Sequence, residues 1–479
     1  MSMSSKAIDQ ATAAQGDDRQ VVDTLIARAR KAMAGFATAD QATVDDAVTA
    51  AAWALYKPEH ARELAELAVE DTGLGNAPDK VTKNQRKTFG ALRDLLRVRT
   101  VGVIERDEAR GLVKYAKPVG VVLAVTPSTN PAATPANKTM MALKGRNAVI
   151  LAPSPAGWNT TARTADYIRA ELAKVGLPQD LVQVVPQPVS RERTEALMRL
   201  ADLVVCTGSQ NNVRRAYSSG TPAIGVGVGN APVIVDSSAD LSDAAEKIAA
   251  SKCFDNATSC SSENALVILD DVYEAAMRAL EAAGGYRASA EERDRIQATL
   301  WKGGKLNREV IAKDADVFAE RAGLPEPASR CRFFMVEDAG IGPDHPFSGE
   351  KLSLVLTVYR AADFEEAKTI VRDILDHQGR GHSCGIHTSD GDHTRELAEE
   401  LDVVRVLVNQ AHTFGNGGGF DNGLNFTLSM GCGTWGGNSI SENLNYRHFI
   451  NVTHLATTIP EDKPDEAELF GGYWDRYGA

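Results

Sequence analysis

The amino-acid sequence predicts an α/β protein with two parallel-sheet domains and a smaller β element. Short, continuously apolar runs alternate with segments of helical period between residues 119 and 206, and the alternation restarts after residue 236. Such alternation is typical of βαβ units, whose parallel strands are buried on both faces. Residues 98–117 instead show a β-like pattern around a charged turn, which predicts a protruding hairpin that meets another subunit.

Length, charge and cysteine content narrow the class of protein. The 479 residues fit about three domains, or two large ones with an appendage. A net charge of −12, from 52 Lys and Arg against 64 Asp and Glu, argues against a nucleic-acid partner. No apolar run is long enough for a membrane-spanning helix. The six cysteines lie too far apart for a disulfide framework or a zinc site, which favours the reducing cytoplasm.

The N-terminal region is predicted to be helical after a short tail. Residues 1–17, rich in Ser, Ala and Gln, are interpreted as a disordered tail. From Gln20 onward, apolar residues recur at three- and four-residue steps, and helical segments continue to about Leu96.

The first α/β region holds four predicted strands and three predicted helices. The strands are Val119–Thr126, Ala148–Ala152, Leu181–Val185 and Leu203–Cys206, and the helices are Pro135–Lys144, Asn159–Lys174 and Arg191–Leu200. Ligands of parallel sheets bind beyond the carboxyl ends of the strands. The polar stretches Thr126–Asn130 and Thr207–Asn211 follow two of these strands, so a ligand site is expected there.

The second α/β region is predicted from the same alternation. Its strands are Ala265–Leu269, Cys331–Val336 and Leu352–Tyr359, and its helices are Ser242–Ser251, Val272–Ala283 and Phe364–Leu375. Residues 415–437 are rich in glycine, which would let the backbone approach a large ligand closely. Aromatic residues inside this stretch, among them Phe426 and Trp435, argue against a purely flexible surface loop.

Cys260 is the first candidate for chemistry. It lies in a polar loop of small residues, Phe254–Asn264, that runs into an apolar strand. Main-chain N–H groups or a helix N-terminus would lower the pKa of such a thiol and supply thiolate for nucleophilic attack. The alternative is a small buried side chain without chemistry, and the residues alone leave both interpretations open.

Asn130 and Glu350 are weaker candidates when each is taken alone. Asn130 follows a buried strand, where its amide could stabilise an oxyanion, but Asn before Pro is also common in turns. Glu350 precedes a strand, and an acid in such a loop is commonly just solvated.

Two further patterns are set aside. The run Gly225–Asn230 lacks the full dinucleotide-binding pattern and is followed by a strand instead of a helix, so close backbone packing near the ligand cleft is expected there. His377, His382 and His387 recur at a spacing of five, which does not place all three on one face of a helix or strand. No metal site is therefore expected.

Together these segments resemble the aldehyde dehydrogenase superfamily, and within it the CoA-acylating branch, from about Gln20 to His454. The most specific stretches are Val125–Leu151, Thr207–Val235, Phe254–Val267, Glu350–Tyr359 and Leu424–Asn443. The resemblance implies a Rossmann-like cofactor domain over residues 18–233 and a catalytic domain over residues 234–437. It also implies that residues 438–479 return to the cofactor domain as an oligomerisation tail, and that the protein is a homodimer or homotetramer.

By this resemblance, Cys260 matches the nucleophile, Asn130 matches the amide of the oxyanion hole, and Glu350 matches the acid that holds the nicotinamide ribose. The other expected cofactor contacts are Thr126, Pro127, Ser154, Thr207, Gly208, Ser209 and Gly227. The resemblance therefore implies NADP or NAD as cofactor and CoA as co-substrate.

Two departures from the hydrolytic members of the family carry information. Those members have a Glu that activates water, and the matching position, counted back from Asn230-Ala231-Pro232, is Val226. Without that base, the acyl-enzyme should survive until the CoA thiol arrives. The Lys that usually holds the adenosine ribose is absent beside Ser154, and no carboxylate replaces it, so NADP is allowed and slightly favoured.

The resemblance favours sulfoacetaldehyde as the substrate, oxidised to its acyl-CoA. Its sulfonate would need hydrogen-bond donors near Cys260, for which Arg380, His382 and His412 are the candidates. The alternatives are an acylating enzyme for acetaldehyde or propionaldehyde, a hydrolytic aldehyde dehydrogenase, and a non-catalytic cofactor-binding scaffold in which Cys260 is inert.

Overall fold

A helical layer and a β-hairpin open the chain. The structure is a computed structural model that describes residues 5–479, with side chains described from residue 18 onward. The first elements are α1 (Ser5–Phe36), α2 (Gln41–Tyr56), α3 (Pro58–Thr72), α4 (Ala77–Leu96), β1 (Gly102–Asp107) and β2 (Leu112–Pro118). The hairpin predicted over residues 98–117 is present as β1 and β2.

The N-terminal tail differs from the prediction. Residues 5–17 belong to α1, where the sequence predicts a disordered tail, and residues 1–4 of that tail lie outside the described part. The physical reason is that Ala and Gln, which recur in this segment, favour the helical backbone.

Local sequence sets the start of α4, the helix that later forms one wall of the site. Asn76 caps α4 by accepting a hydrogen bond from the Asp79 amide at 2.9 Å, and Pro78 occupies the first turn. The buried face of α4 carries two lysines, Lys80 and Lys83, beside small and apolar residues. Buried lysines are rare unless paired, so this face marks a place where partners are needed.

A five-stranded parallel sheet forms the core of the N-terminal domain. Its elements are β3 (Val121–Thr126), α5 (Ala133–Lys144), β4 (Ala148–Pro153), α6 (Trp158–Lys174), β5 (Val182–Val184), α7 (Arg191–Leu200), β6 (Leu203–Cys206), α8 (Gln210–Tyr217) and β7 (Ala223–Gly225). The strand order is β5-β4-β3-β6-β7, with the central strand β3 buried along its whole length. From β3 the chain first adds β4 and β5 on one side and then β6 and β7 on the other, so the direction of winding changes between β3 and β6. A ligand crevice is expected at the carboxyl ends of these two strands.

A seven-stranded, wholly parallel sheet forms the second domain. Its elements are β8 (Ala231–Val235), α9 (Leu241–Cys253), β9 (Glu263–Leu269), α10 (Tyr273–Ala282), β10 (Gly285–Arg287), α11 (Ala290–Leu300), β11 (Trp301–Lys302), β12 (Lys305–Leu306), α12 (Ala315–Arg321), α13 (Glu326–Ser329), β13 (Phe333–Glu337), β14 (Val355–Ala361), α14 (Phe364–His377), β15 (Cys384–His387), α15 (Gly391–Glu400), β16 (Val406–Val408) and α16 (His412–Gly415). The sheet order is β10-β13-β14-β9-β8-β15-β16, and the short hairpin β11–β12 lies apart from it. Successive residues of β9, such as Leu266 and Val267, enter two separate apolar clusters, because successive side chains of a strand point to opposite faces.

A small antiparallel sheet joins the hairpin that follows the N-terminal helices to the C-terminal region. Strand β17 (Ile450–Ala456) pairs with β2 from Ile450 opposite Pro118 to Ala456 opposite Leu112, and helix α17 (Glu466–Tyr477) follows it. Strand β2 lies in the middle of this sheet, whose order is β1-β2-β17, so β17 is an edge strand. All residues of β17 except Ile450 are exposed.

The described architecture confirms the predicted α/β class, with two parallel sheets and a separate antiparallel element. Within residues 5–479, no helix combines the length and the apolar composition that crossing a bilayer requires.

Candidate active site

A cavity of about 720 Å³ lies beyond the carboxyl ends of the first sheet. This volume is in the usual range for a ligand pocket. The sequence-predicted residues that line it come from both domains: Thr126, Pro127, Asn130, Ser154, Thr207, Gly208, Ser209, Gly227, Cys260 and Glu350. The structure therefore brings the two candidate catalytic residues and the eight candidate cofactor contacts together at one place.

The Cys260 loop is held in a strained backbone conformation. Asp255, Asn256 and Ala257 all have positive φ angles, between 51° and 59°. Asp and Asn tolerate this left-handed region better than other residues, whereas Ala costs roughly 1–2 kcal/mol there. The conformation turns the chain sharply between α9 and Cys260, and it persists because the surrounding contacts fix it.

Those contacts come mainly from α4. The Asp255 carboxylate, which is fully buried, forms ion pairs with Lys80 at 3.0 Å and with Lys83. It also accepts hydrogen bonds from the Asn76 amide at 3.0 Å and from the Thr258 hydroxyl at 2.6 Å. The pKa of Asp255 is lowered although burial alone would raise it, because Lys83 and Lys80 stabilise the charged form.

The same lysine orients the candidate oxyanion amide. Lys83 Nζ donates to Asn130 Oδ1 at 2.9 Å and to Thr258 Oγ1 at 3.2 Å. Because the carbonyl oxygen of the amide is engaged by α4, its N–H₂ group is left to face other partners in the cavity. This arrangement suits a donor that must meet a developing negative charge.

Cys260 is partly exposed to the cavity, yet its thiol is poorly hydrated. Burial raises the pKa of the Cys260 thiol to about 12, with Glu350 and Cys432 adding to the rise and Arg405 opposing it. The sequence predicts the opposite direction, and the prediction is wrong for the ligand-free protein because burial outweighs the nearby polar groups. A positive charge entering the cavity would favour the thiolate.

The glycine run beside Cys260 serves close packing, as the sequence predicts. A Cβ atom on Gly229 would lie 2.5 Å from the Cβ of Cys260, and one on Gly227 would lie 2.6 Å from the Sγ of Cys432. Neither position has room for a side chain. The run is followed by β8, a strand, so it does not open a helix.

The strand-end wall of the cavity offers unused polar groups. Thr126 Oγ1 and Ser154 Oγ are buried without a hydrogen-bond partner among the described residues. Gly208 and Ser209 lie at the N-terminus of α8, where main-chain N–H groups favour phosphate. Burial raises the pKa of the Glu350 carboxyl to about 7, opposed by Lys351 and Lys252. Hydroxyl, amide and carboxylate groups of this kind fit the ribose and phosphate groups of a dinucleotide.

No base for activating water is found at the predicted position. Val226 lines the cavity and is 7% exposed. Among the described residues that line the cavity, the carboxylates are Glu195 and Glu350, and no histidine is present. Glu195 forms an ion pair with Arg215 at 3.2 Å.

Three predicted substrate contacts do not line the cavity, so the structure corrects their assignment. Arg380 is 52% exposed and pairs with Asp402 and Asp376. His382 and His412 are fully buried, and burial lowers the pKa of His412 to about 4 and that of His382 well below its ordinary value. His412 instead supports the Cys260 loop, since its Nδ1 lies 2.8 Å from the Ser261 carbonyl oxygen.

Sequence reasoning missed the α4 wall. Lys83, Arg86 and Lys87 all line the cavity, and none was a candidate. The available signal was spacing. Lys80, Arg86 and Lys87 each lie three or four residues from Lys83, so the four cations share one side of the helix. Among the described residues, no group of three or more His, Cys, Asp or Glu side chains has an arrangement that could hold a metal ion.

Comparisons with known proteins agree with this geometry. Residues 4–289 match the model of the aldehyde dehydrogenase family. An acylating sulfoacetaldehyde dehydrogenase of Cupriavidus necator is 56% identical over 96% of this chain and 93% of its own length. One of Bilophila wadsworthia is 45% identical over 94% of this chain and 98% of its own length. The crystal structure of an acetylating aldehyde dehydrogenase from Geobacillus thermoglucosidasius superposes with a TM-score of 0.90 at 34% identity, covering 94% of this chain and 99% of that one.

Proposed function

Because the chain belongs to the aldehyde dehydrogenase family, we propose that it oxidises sulfoacetaldehyde to sulfoacetyl-CoA, with CoA as acyl acceptor and a nicotinamide dinucleotide as hydride acceptor. The observation that carries the proposal is the cavity itself. It joins a thiol, an oriented amide and dinucleotide-type contacts, and it has Val226 where a water-activating base would be required. The two relatives described above, both acylating sulfoacetaldehyde dehydrogenases, support this substrate.

Cys260 is the nucleophile of the proposed reaction. Its thiolate attacks the aldehyde carbon, and the carbonyl oxygen becomes an oxyanion that accepts a hydrogen bond from the Asn130 amide. A nicotinamide dinucleotide would accept the hydride when bound, and Thr126, Ser154, the α8 N-terminus and Glu350 would hold it. Oxidation leaves the acyl group on Cys260 as a thioester, and the CoA thiolate then displaces Cys260 to give acyl-CoA and the free enzyme.

The missing base favours CoA over water. Deacylation by water needs a general base within hydrogen-bond reach of the attacking molecule. Val226 offers none, and Glu350 is assigned to the ribose in this proposal. A thiol is more nucleophilic than water and needs less assistance, so the thioester is transferred to CoA.

NADP is the preferred dinucleotide in this proposal. Ser154 has no acidic neighbour in Pro153-Ser154-Pro155 that would repel a 2′-phosphate. Arg191 and Arg215 also line the cavity, and of these Arg215 is paired with Glu195. Arginine is the side chain best suited to a phosphate dianion, so these residues support the preference.

Subunit association through the small antiparallel sheet is part of the proposal. Val452 and Leu455 on the edge strand β17 are 39% and 48% exposed, and an exposed apolar edge strand is a common pairing surface. A homodimer or homotetramer would cover it. The cytoplasm is the proposed location, since all six cysteines are unpaired thiols and the reaction requires one of them to stay reduced.

The test is the formation of reduced nicotinamide, followed by its near-ultraviolet absorbance, with sulfoacetaldehyde or propionaldehyde as substrate. Each substrate is assayed with and without CoA, and with NADP or NAD. CoA-dependent reduction that prefers sulfoacetaldehyde supports the proposal, and CoA-independent reduction refutes the acylating mechanism. The Cys260→Ala variant should lose turnover and retain dinucleotide binding, whereas full activity would refute the role of the thiol.

A further inference from the structure

Helix α4 carries a row of four cations, of which Lys83, Arg86 and Lys87 line the active-site cavity. Lys80, Arg86 and Lys87 each lie three or four residues from Lys83, so the four cations share one side of the helix. Asp255 forms ion pairs with the first two, with Lys80 at 3.0 Å and with Lys83. Lys80 and Lys83 therefore share one buried carboxylate, and through it they hold the loop that carries Cys260.

The other half, Arg86 and Lys87, lacks a carboxylate partner. In the part of the chain that the structure describes, the remaining ion pair of α4 joins Arg93 to Asp94. Asp421 acts on Arg86 only through space, without an ion pair. Two neighbouring cations in a partly enclosed wall are costly unless an anion joins them.

The surroundings of Arg86 hold its guanidinium while leaving a donor unused. The guanidinium carbon lies between 5.1 and 5.7 Å from the ring centres of Phe414, Phe420 and Phe426. These rings attract the cation but accept no conventional hydrogen bond. The Nε of Arg86 is buried and has no hydrogen-bond partner among the described residues. An anion with several oxygens would satisfy it.

Lys87 faces the same cavity and lies within electrostatic range of the nucleophile. Its Nζ donates to the Gly417 carbonyl oxygen at 2.8 Å, which uses one of its three donors. Burial lowers the pKa of Lys87 to about 7, Arg86 and Lys83 add to this, and an ionised Cys260 opposes it. An anion bound beside Arg86 and Lys87 would keep the ammonium charged.

We propose that Arg86 and Lys87 bind the sulfonate of the aldehyde substrate, an inference that rests on the proposed function. In sulfoacetaldehyde a single methylene group separates the sulfonate from the carbonyl carbon, so the anion must lie close to Cys260 during attack. The three sulfonate oxygens can accept hydrogen bonds from a guanidinium and an ammonium together. Arg86 and Lys87 contact the loop from Phe414 to Phe426, not the strand ends proposed to hold the dinucleotide.

The experiment compares kcat/KM for sulfoacetaldehyde with kcat/KM for propionaldehyde in wild type, Arg86→Met and Lys87→Met. Each variant removes one cation and keeps an apolar chain of similar length. The ratio of the two kcat/KM values should fall roughly 10- to 100-fold in each variant, because a charge-assisted hydrogen bond is lost for only one substrate. The propionaldehyde activity of the same variant is the reference in each ratio, so a general loss of turnover cancels. Thermal melting shows whether each variant folds.

Arg93→Met is the matched control. Arg93 is on the same helix and stacks on two of the same rings, Phe420 at 5.2 Å and Phe426 at 5.0 Å, but it does not line the cavity. Its substitution should leave the ratio unchanged. A second readout is inhibition by ethanesulfonate against propionaldehyde, which should be competitive in wild type and weakened in Arg86→Met and Lys87→Met.

The outcomes separate this inference from the proposed function. If wild type shows no CoA-dependent oxidation of sulfoacetaldehyde, the proposed function fails. If wild type prefers sulfoacetaldehyde and the ratio is unchanged in both variants, only the assignment of Arg86 and Lys87 fails. It also fails if, with propionaldehyde as substrate, the KM for CoA rises as much as the sulfoacetaldehyde ratio falls, because the cations would then bind CoA. For any variant that does not fold, Arg86→Gln or Lys87→Gln replaces it under the same criteria.

Discussion

Lys83 Nζ lies 2.9 Å from Asn130 Oδ1, so a helix outside both parallel sheets fixes the direction of an amide that lines the same cavity as Cys260. The same ammonium is tied to Asp255 in the strained turn before Cys260. One side chain thus connects the two residues that act on the same carbonyl group in the proposed reaction.

Substitution Lys83→Met should lower kcat by roughly 10- to 100-fold, because a misdirected Asn130 amide stabilises the oxyanion less well. Dinucleotide affinity should not change. In an Asn130→Ala background, Lys83→Met should have little further effect on kcat, since the amide it orients is already gone. Steady-state kinetics of the two single variants and the double variant measure this.

Lys80→Met is the control for that experiment. Lys80 shares Asp255 with Lys83 but does not contact the Asn130 side chain. If Lys80→Met lowers kcat as much as Lys83→Met does, the effect arises from the Asp255 turn and the positioning role of Lys83 is wrong.

Alkylation of Cys260 by iodoacetamide in the ligand-free protein should be slow near pH 7 and rise about tenfold per pH unit to about pH 9 without a plateau. The reason is that the pKa of the thiol is raised to about 12, so the thiolate is a minor species over this whole range. Peptide mass analysis identifies the labelled site, and Cys260→Ser gives the background. A plateau near neutral pH would show a thiolate that is already formed, contrary to this expectation.

Substitution Val226→Glu should give CoA-independent release of the carboxylic acid at least about tenfold above the wild-type background. A carboxylate at this point of the cavity wall can act as general base for water attacking the thioester. The Val226→Gln variant has a side chain of the same shape as Glu but without a base, so its acid release should stay at background. Equal rates in the two variants would mean that added polarity, not base catalysis, causes hydrolysis. Acid formation is measured without CoA in both.

Substitution Glu350→Gln should raise Tm at about pH 8 and weaken dinucleotide binding. Burial raises the pKa of this carboxyl from 4.5 to about 7, so above that value the folded protein holds a carboxylate that the unfolded chain accommodates better. The gain in Tm should shrink as the pH falls through 7 and vanish below about 4.5, because the carboxyl is then protonated in both the folded and the unfolded chain. Thermal melts and fluorescence titrations with NADP measure both effects.

Glu108→Gln, on the exposed turn of the β1–β2 hairpin, is the control for Glu350. It should change neither Tm nor dinucleotide binding. A pH-independent gain in Tm for Glu350→Gln would show that the substitution acts through packing instead of charge.

The central strands and the strand-end contacts were predictable from sequence because they leave a local pattern. The predicted strand Leu203–Cys206 coincides with β6, and the predicted helix Pro135–Lys144 differs from α5 only at its start. Polar stretches directly after such strands gave Asn130 and Thr207. These residues follow from two simple rules, apolar runs for buried strands and ligand sites at strand ends.

Other parts leave no such pattern. Strands β10 (Gly285–Arg287) and β15 (Cys384–His387) are short and mix polar or glycine residues with apolar ones, so no continuous apolar run marks them. Cations on a helix are normally a solvated face, so the shared face of Lys83 and Arg86 was a weak signal that did not by itself indicate a cavity. The raised pKa of Cys260 depends on how closely distant segments enclose it, which a polar loop sequence does not record.

The pairing of β17 with β2 sets the order in which the parts of the molecule can fold. Ile450 lies opposite Pro118, so this sheet joins segments separated by most of the chain. During synthesis, β2 leaves the ribosome long before β17, its second neighbouring strand, has been made. The edge of β2 that pairs with β17 therefore stays unpaired until residues 450–456 follow. Contacts between such distant segments form late and slow the final folding step. Both parallel sheets can therefore form first, with the small sheet closing last.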